Sequence, residues 1–338
     1  LYRQLGRVIT AGVQGLWYGP AWRGLILWPL ALLFQCLVSL RRWAYWHGWL
    51  KQSHLPVPVI VVGNITVGGT GKTPFVIWLV SRLREQGYRP GVLTRGYGGR
   101  STVWPIVVTG QSDSRLTGDE SVLLARRCGC PVVAGPDRVA DGQRLISLGC
   151  DILVSDDGMQ HYALGRDIEV VMIDGLRGFG NGWGLPAGPL REPLSRAALA
   201  DIQVVNGGND EYAMRLQITE ATALGSGRCV PLTTWRDRQV HAVAGIGDPQ
   251  RFFSALQAQG LKIIAHPFPD HYDYQPDDLD FKDDLPVLMT EKDAVKCMAW
   301  PSARDFWYIP ADAQVSEIIW IKLQDCLAKR KTSNLASK

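Results

Sequence analysis

The sequence predicts an α/β protein: a mainly parallel sheet covered by helices, a second, smaller α/β domain after it, and an N-terminal membrane-associated helix before it. Three observations predict this. Short apolar runs of strand length alternate with helical spacing through most of the 338 residues, the pattern of a sheet whose crossovers are helices. The first such run, Val57 to Val62, leads into the glycine-rich stretch Thr66-Val67-Gly68-Gly69-Thr70-Gly71-Lys72-Thr73, and Pro74 to Glu85 then has the apolar spacing of a helix. Ahead of both, Gly24 to Leu40 is a run of seventeen residues whose polar members are Gln35 and Ser39.

The N-terminal run lies in a basic region: nine Lys or Arg and no Asp or Glu precede Glu85, so the net charge of +4 conceals a remainder that is five net negative. At 1.5 Å per residue the run reaches roughly 25 Å, a little short of a bilayer core, and Pro29 is expected to interrupt it. Trp17, Trp22, Trp28, Trp43, Trp46 and Trp49 flank or enter it, as expected at a headgroup boundary, and Arg23, Arg41 and Arg42 beside them suit anionic lipids. A helix lying in the cytoplasmic leaflet is the reading favoured over one that spans it; a core helix packed on the domain is the plain alternative. A cleaved signal peptide fits poorly, because no small-residue cleavage site follows the run.

The glycine-rich stretch is the most specific signal. A strand that ends in glycines and opens into a helix aims backbone N–H groups and the helix N-terminus at one point, where phosphate oxygens bind. Lys72 would reach the β- and γ-phosphates, and the Thr73 hydroxyl would ligate the accompanying magnesium. Residues 66–73 therefore read as a nucleotide triphosphate site in a P-loop NTPase-like sheet. The pattern departs at its first position, where Thr66 replaces the expected glycine. An ordinary glycine turn would explain the glycines but not the Lys-Thr pair.

Further strands are expected at Pro90 to Thr94, Pro131 to Ala134, Asp151 to Val154, Ile168 to Ile173 and Ile202 to Val205. Ligands of such sheets sit beyond the carboxyl ends of the strands, and polar residues gather there: Thr94-Arg95-Gly96-Tyr97-Gly98 after one, Ser155-Asp156-Asp157-Gly158 after another. Asp156 and Asp157 read either as magnesium partners or as helix caps, with the adjacent pair favouring metal. Gly118-Asp119-Glu120 opens a helix at Ser121 to Arg127, where acids are also common for dipole reasons alone. The chain divides into a membrane-associated helical region (1–50), a nucleotide-binding core (51–206), a linker or hinge (207–238) that opens with the Gly207-Gly208-Asn209 turn, and a smaller α/β domain (239–330). That last unit begins with a strand from Val240 to Ala244, the turn Gly245–Pro249, a helix from Gln250 to Gln259 and a strand from Leu261 to Ala265. His271 lies in the following loop, PFPDHYDY. Seven dispersed cysteines and six dispersed histidines suggest reduced thiols and no zinc cluster.

Together these segments resemble the tetraacyldisaccharide 4'-kinases of lipid A synthesis. The resemblance rests on Val62-Gly63-Asn64 before GGTGKTP, Arg95–Gly98, Gly118–Glu120, Gly135-Pro136-Asp137-Arg138, Ser155–His161, Pro186–Pro193, Asp270-His271 and Thr290–Ala294, in family order through nearly the whole chain. DDGMQH together with PAGPLREP is the specific part, and the family's loop tolerates Thr66. The resemblance implies a kinase at the cytoplasmic face of the bacterial inner membrane. It would move the γ-phosphoryl of ATP to the 4'-hydroxyl of tetraacyldisaccharide 1-phosphate, giving lipid IVA. It further implies Asp119 as general base with His271 orienting it, Lys72 on the transferring group, and Thr73 with Asp156, Asp157 or Glu120 on Mg2+. Arg95, Gln160, His161, Arg191 and Glu192 would position substrate or metal. Partners would be that acylated substrate and membrane lipids, with no nucleic acid and no obligate protein partner.

Two other classes share parts of the pattern. A membrane-associated ATPase or GTPase switch would also use a P-loop and an amphipathic anchor. Against it, residues 66–70 lack the lysine such switches carry, and Glu291 stands where guanine readers place Lys. A membrane scaffold with a relict nucleotide site would need neither Asp119 nor His271.

Overall fold

The computed structural model describes residues 12–336 except 209, 299 and 301–304. Among the described residues the strands form two sheets. The larger has nine strands: β1 (Val59–Gly63), β2 (Pro90–Thr94), β3 (Ile106–Val108), β4 (Val132–Ala134), β5 (Ile152–Asp156), β6 (Ile168–Asp174), β7 (Ile202–Asn206), β8 (Ala213–Gln217) and β15 (Asp312–Val315), in the order β15-β8-β7-β6-β1-β5-β2-β4-β3. Its central strands pair in parallel, with β3 and β15 antiparallel at the two edges. β1, β2 and β5 are buried at every residue, which is why they read as unbroken apolar runs and not as alternating ones.

Helices cover both faces. One face carries α2 (Lys72–Glu85), whose Phe75, Val76, Leu79, Val80 and Leu83 are fully buried, together with α4 (Asp119–Cys128). These residues recur at helical spacing and meet Ile60, Val92, Val132 and Val154 from alternate positions of the strands. The other face is closed by α5 (Arg138–Ser147), whose Leu145 packs with Val59, Leu93 and Leu153. A short helix, α3 (Ser114–Thr117), precedes α4, and α6 (Ser195–Ala198) precedes β7.

The smaller sheet has the order β10-β9-β14-β13-β11-β12, from β9 (Glu220–Ala223), β10 (Cys229–Pro231), β11 (Gln239–Ala244), β12 (Lys262–Pro267), β13 (Val287–Thr290) and β14 (Phe306–Ile309). Here β11 to β14 are parallel, with helices α7 (Pro249–Ala258) and α8 (Glu291–Cys297) between them. Against the expected division, residues 213–217 of the linker are a strand of the large sheet, and 220–231 already belong to the small one. Asn209, part of the expected turn, lies outside the described residues. Residues 312–336 also leave the small unit: β15 returns to pair with β8, and α9 (Glu317–Ala336) packs Ile319, Trp320, Leu323 and Leu327 into the large core. Strands this short and polar, such as Asp312-Ala313-Gln314-Val315, are placed by their neighbours and not by periodicity.

At the N-terminus a 3₁₀ turn, Ala21–Leu27, leads into helix α1 (Trp28–Trp46). Pro29 sits in the first turn of α1, where it begins the helix instead of interrupting the run. The span Ala21–Trp46 is long and apolar enough to cross a membrane. It is not a core helix: Ala31 is its buried residue in α1, while Leu30, Leu33, Leu37 and Leu40 stay 56 to 60% exposed.

The packing of α2 sets the position of the glycine-rich loop, so its core face can be tested directly. Phe75→Ala is expected to lower unfolding stability by about 3–5 kcal/mol, read as a shift in the urea midpoint.

Candidate active site

The loop after β1 turns tightly into α2. Gly71 caps α2 in the left-handed region, at φ 86°, and a β-carbon there would lie 2.5 Å from Asn206 Nδ2, which itself donates to the Thr70 carbonyl at 3.2 Å. Only glycine fits that close approach. Thr66 explains the departure at the first position: its backbone forms a bridge with Leu190, its neighbour Val67 donates to the Pro189 carbonyl at 2.8 Å, and its hydroxyl accepts from Asn64 Nδ2 at 3.4 Å. A position held in extended backbone against another segment takes a β-branched residue without strain. Gly68 is also in the positive region, at φ 113°, and Gly69 completes the open part of the loop. Lys72 opens α2, donating to Asn64 Oδ1 at 3.1 Å and lying 3.5 Å from Asp157. Thr73 follows it, partly exposed at the helix start.

The expected carboxylates meet here. Asp156 ends β5, fully buried, and one of its oxygens has no hydrogen-bond partner. Burial and the nearby Glu120 charge push its pKa up. Asp157 turns outward at φ 49° into an ion pair with Arg191 at 3.2 Å. Burial opposes its charge, but Lys72 and Arg191 outweigh that and hold its pKa at about 2. Among the described residues no three His, Cys, Asp or Glu side chains are arranged to hold a metal by themselves. An unpartnered buried carboxylate oxygen near Glu120, Lys72 and Asp157 nevertheless suits a hard cation that keeps part of its coordination for phosphate and water.

Asp119 is the first residue of α4, nearly buried. Gly118, at φ 86°, packs this helix start on the Arg95–Gly98 loop, where a β-carbon would strike the Tyr97 carbonyl at 2.4 Å. The carboxylate faces the small sheet. His271 Nδ1 stands 3.1 Å from both of its oxygens, and Lys296 Nζ is 3.4 Å from one. His271 Nε2 lies 3.3 Å from Lys292 Nζ, which also reaches Glu120 at 3.0 Å and Asp270 at 3.4 Å. An ammonium can only donate, so Nε2 accepts and the Nδ1 hydrogen points at Asp119. Burial would raise the pKa of Asp119, yet His271, Lys292 and Lys296 bring it down to about 2. The same hydrogen bond raises the pKa of His271. Buried Asp293 anchors this side: it accepts from Gly245 N at 2.9 Å and Thr290 Oγ1 at 2.6 Å and holds Lys296 at 3.2 Å.

The remaining expected residues divide into two groups. Arg191 touches Asp157, and Gln160 Nε2 donates to the Asn64 carbonyl at 3.1 Å, tying the loop after β5 to the loop after β1. Arg95 is exposed beside the site. It and buried Arg138 add to desolvation in lowering the pKa of His161 to about 4, which keeps that ring neutral. Glu192 is fully buried, accepting from Tyr162 Oη at 2.5 Å and lying 3.7 Å from Arg196, and with Tyr162 and Arg191 it lines a cavity beside α1. Asn64, Lys292 and Lys296 are site residues that motif reading does not single out. Asn64 and Lys292 lie inside segments that carry the family resemblance, which is the one available sign of them.

The His271 contact makes a pH-dependent contribution. Its folded pKa lies above the ordinary 6.5, so the pair stabilises the fold fully below that value and loses effect as pH rises through the raised pKa. His271→Gln should therefore lower the melting temperature most below pH 6.5 and progressively less as pH rises through the raised pKa. A difference that does not change with pH would show that the proton is not shared this way.

The family described as Tetraacyldisaccharide-1-P 4'-kinase matches residues 23–328. A Tetraacyldisaccharide 4'-kinase from Nitrosococcus oceani is 54% identical over 303 residues, covering 88% of this chain and 89% of that protein. One of the same name from Alkalilimnicola ehrlichii is 50% identical, covering 92% and 94%. Among solved structures, the crystal structure of the "apo" form of LpxK from Aquifex aeolicus in complex with ATP is similar at a TM-score of 0.74 and 30% identity, covering 90% of this chain and 98% of that one. With a phosphate loop, paired aspartates and an Asp-His contact assembled at one sheet edge, the chain belongs to the tetraacyldisaccharide-1-P 4'-kinase family.

Proposed function

We propose that the protein is an ATP-dependent lipid kinase that transfers the γ-phosphoryl group to the 4'-hydroxyl of tetraacyldisaccharide 1-phosphate, giving lipid IVA. The observation that carries this reading is the Asp119–His271 pair, drawn from two different sheets and placed at the edge that holds the phosphate loop. A nucleotide switch or a scaffold has no use for such a pair, and a kinase needs a group that accepts the attacking hydroxyl's proton. Magnesium, held by Thr73 with Asp156, Asp157 or Glu120, would supply neutralisation of the phosphate charge. Lys72 stabilises charge on the transferring group. Asp119, kept ionised, receives the proton, and the Nδ1 hydrogen of His271 orients that carboxylate toward the site. Closure of the small sheet over the large one, about the two-residue links 218–219 and 310–311, would bring these groups to the hydroxyl.

We place the lipid between α1 and this edge. A cavity of about 260 Å³ opens there between Phe34, Val38 and Arg41 of α1 and Gln160, Tyr162 and Arg191, joining an apolar wall to the polar site. The exposed leucines of α1, Trp22 and Trp46 would rest in the cytoplasmic leaflet of the inner membrane, bringing the site to an acylated substrate.

Transfer of label from γ-labelled ATP, with magnesium, to tetraacyldisaccharide 1-phosphate in detergent micelles tests the activity. Label on the lipid is expected, and Lys72→Ala and Asp119→Ala should each lower the rate by roughly 10²-fold or more, the second with little loss of ATP affinity. Release of label to water regardless of lipid would instead mark an ATPase. Replacing Leu30, Leu33, Leu37 and Leu40 together by Ser should reduce the fraction that co-sediments with anionic vesicles while the far-UV circular dichroism is kept.

A further inference from the structure

A second ionic junction between the sheets sits at the phosphate loop, on residues the transfer chemistry does not use. Asp174 ends β6, and one of its oxygens accepts from the backbone N–H of Leu176 and of Arg177, each at 3.0 Å. That turn delivers Arg177 to the phosphate loop: its Nη1 is 3.8 Å from where a β-carbon on Gly68 would lie. The turn after β11 comes to the same place from the small sheet, with a β-carbon on Gly247 falling 3.8 Å from Gly69 N. Across this gap Arg177 pairs with Asp248 at 2.5 Å, Asp248 also lies 3.3 Å from Arg251, and Arg251 pairs with Asp174 at 2.5 Å.

We propose that Arg177 is a phosphate-binding residue of the nucleotide site, and that Asp248 is the internal anion that occupies its guanidinium until a triphosphate replaces it. The proposal rests on the nucleotide reading above. Its argument is electrostatic. A triphosphate in the loop places several negative charges beside both groups, attracting the guanidinium and repelling the carboxylate. Exchange strands no charge, because Asp248 keeps Arg251 and Arg251 keeps Asp174 when Arg177 turns to phosphate. The Arg177 side chain is 20% exposed, and besides Asp248 it meets Tyr18, whose ring lies 5.4 Å away and whose hydroxyl it hydrogen-bonds. Because Asp248 belongs to the small sheet and Arg177 to the large one, the exchange also links occupancy of the loop to the contact between the sheets.

Calorimetric titration of the full chain with a non-hydrolysable ATP analogue tests this without reading turnover. Arg177→Gln should weaken binding roughly tenfold or more, and Arg177→Lys, which keeps the charge but not the fork, should fall between it and the unaltered chain. Asp248→Asn should bind about three- to tenfold more tightly, because the competing anion is gone. The double variant should be no tighter than Arg177→Gln alone, which a merely structural junction would not require. Should Arg177→Gln fail to fold, the opposite signs expected of Arg177→Lys and Asp248→Asn decide the matter. Binding by the unaltered chain that Asp248→Asn weakens or leaves unchanged overturns the proposal and spares the nucleotide reading. No binding by the unaltered chain overturns both.

Discussion

The structure depends on balancing the negative charge gathered at one edge of the large sheet. Asp119, Glu120, Asp156 and Asp157 all project from the carboxyl ends of strands or the start of a helix, and burial works against the charge of Asp119, Asp156 and Asp157. The large sheet supplies Lys72 and Arg191, which settle Asp157. It does not supply enough for the others. Lys292, Lys296 and His271 come from the small sheet and meet Glu120 and Asp119, so the edge is electrostatically complete only when the two sheets face each other. Asp156 keeps an unpartnered oxygen even then. That residue of unbalanced charge is where a cation fits.

A second constraint ties this edge to α1. The segment 181–191 touches both. Toward α1, Gln35 Nε2 donates to the Leu190 carbonyl at 3.4 Å, and Gly24 packs against Trp183 and the Ala187 carbonyl. Toward the phosphate loop, Pro189 and Leu190 hold Val67 and Thr66, and Arg191 N donates to the Ile65 carbonyl at 2.7 Å. The apolar helix and the phosphate loop are thus two faces of one packed segment.

Much of this is legible in the amino-acid order. The strands of the large sheet are, because burial on both faces leaves uninterrupted runs such as Val59–Gly63, and the phosphate loop is, because its glycines and Lys-Thr pair answer to local geometry. The start of α1 is misread, since a proline within an apolar run signals interruption unless it falls in the first turn. Strands β8 and β15 are not legible as partners: Met214 pairs with Val315, 101 positions later, and neither strand carries a periodicity that names the other. For the same reason the contact of His271 with Asp119 cannot be read from spacing. The role of Lys296 shows only in space, where buried Asp293 fixes it. The Arg177, Asp248 and Arg251 junction is hidden likewise, because single charged residues in turns carry no local signature.

The pairing of β8 with β15 has a topological consequence. Gln217 lies directly across the ladder from Asp312, and the chain between them builds the entire small sheet before returning. A chain that turned at once from 217 into 312 would close the same ladder as a hairpin. The small sheet is therefore an insertion hung from a hairpin position of a nine-stranded unit, and its two covalent attachments lie side by side. The contacts of His271 with Asp119 and of Lys292 with Glu120 therefore fasten the insert back onto the unit it hangs from, at points distant along the chain from both attachments.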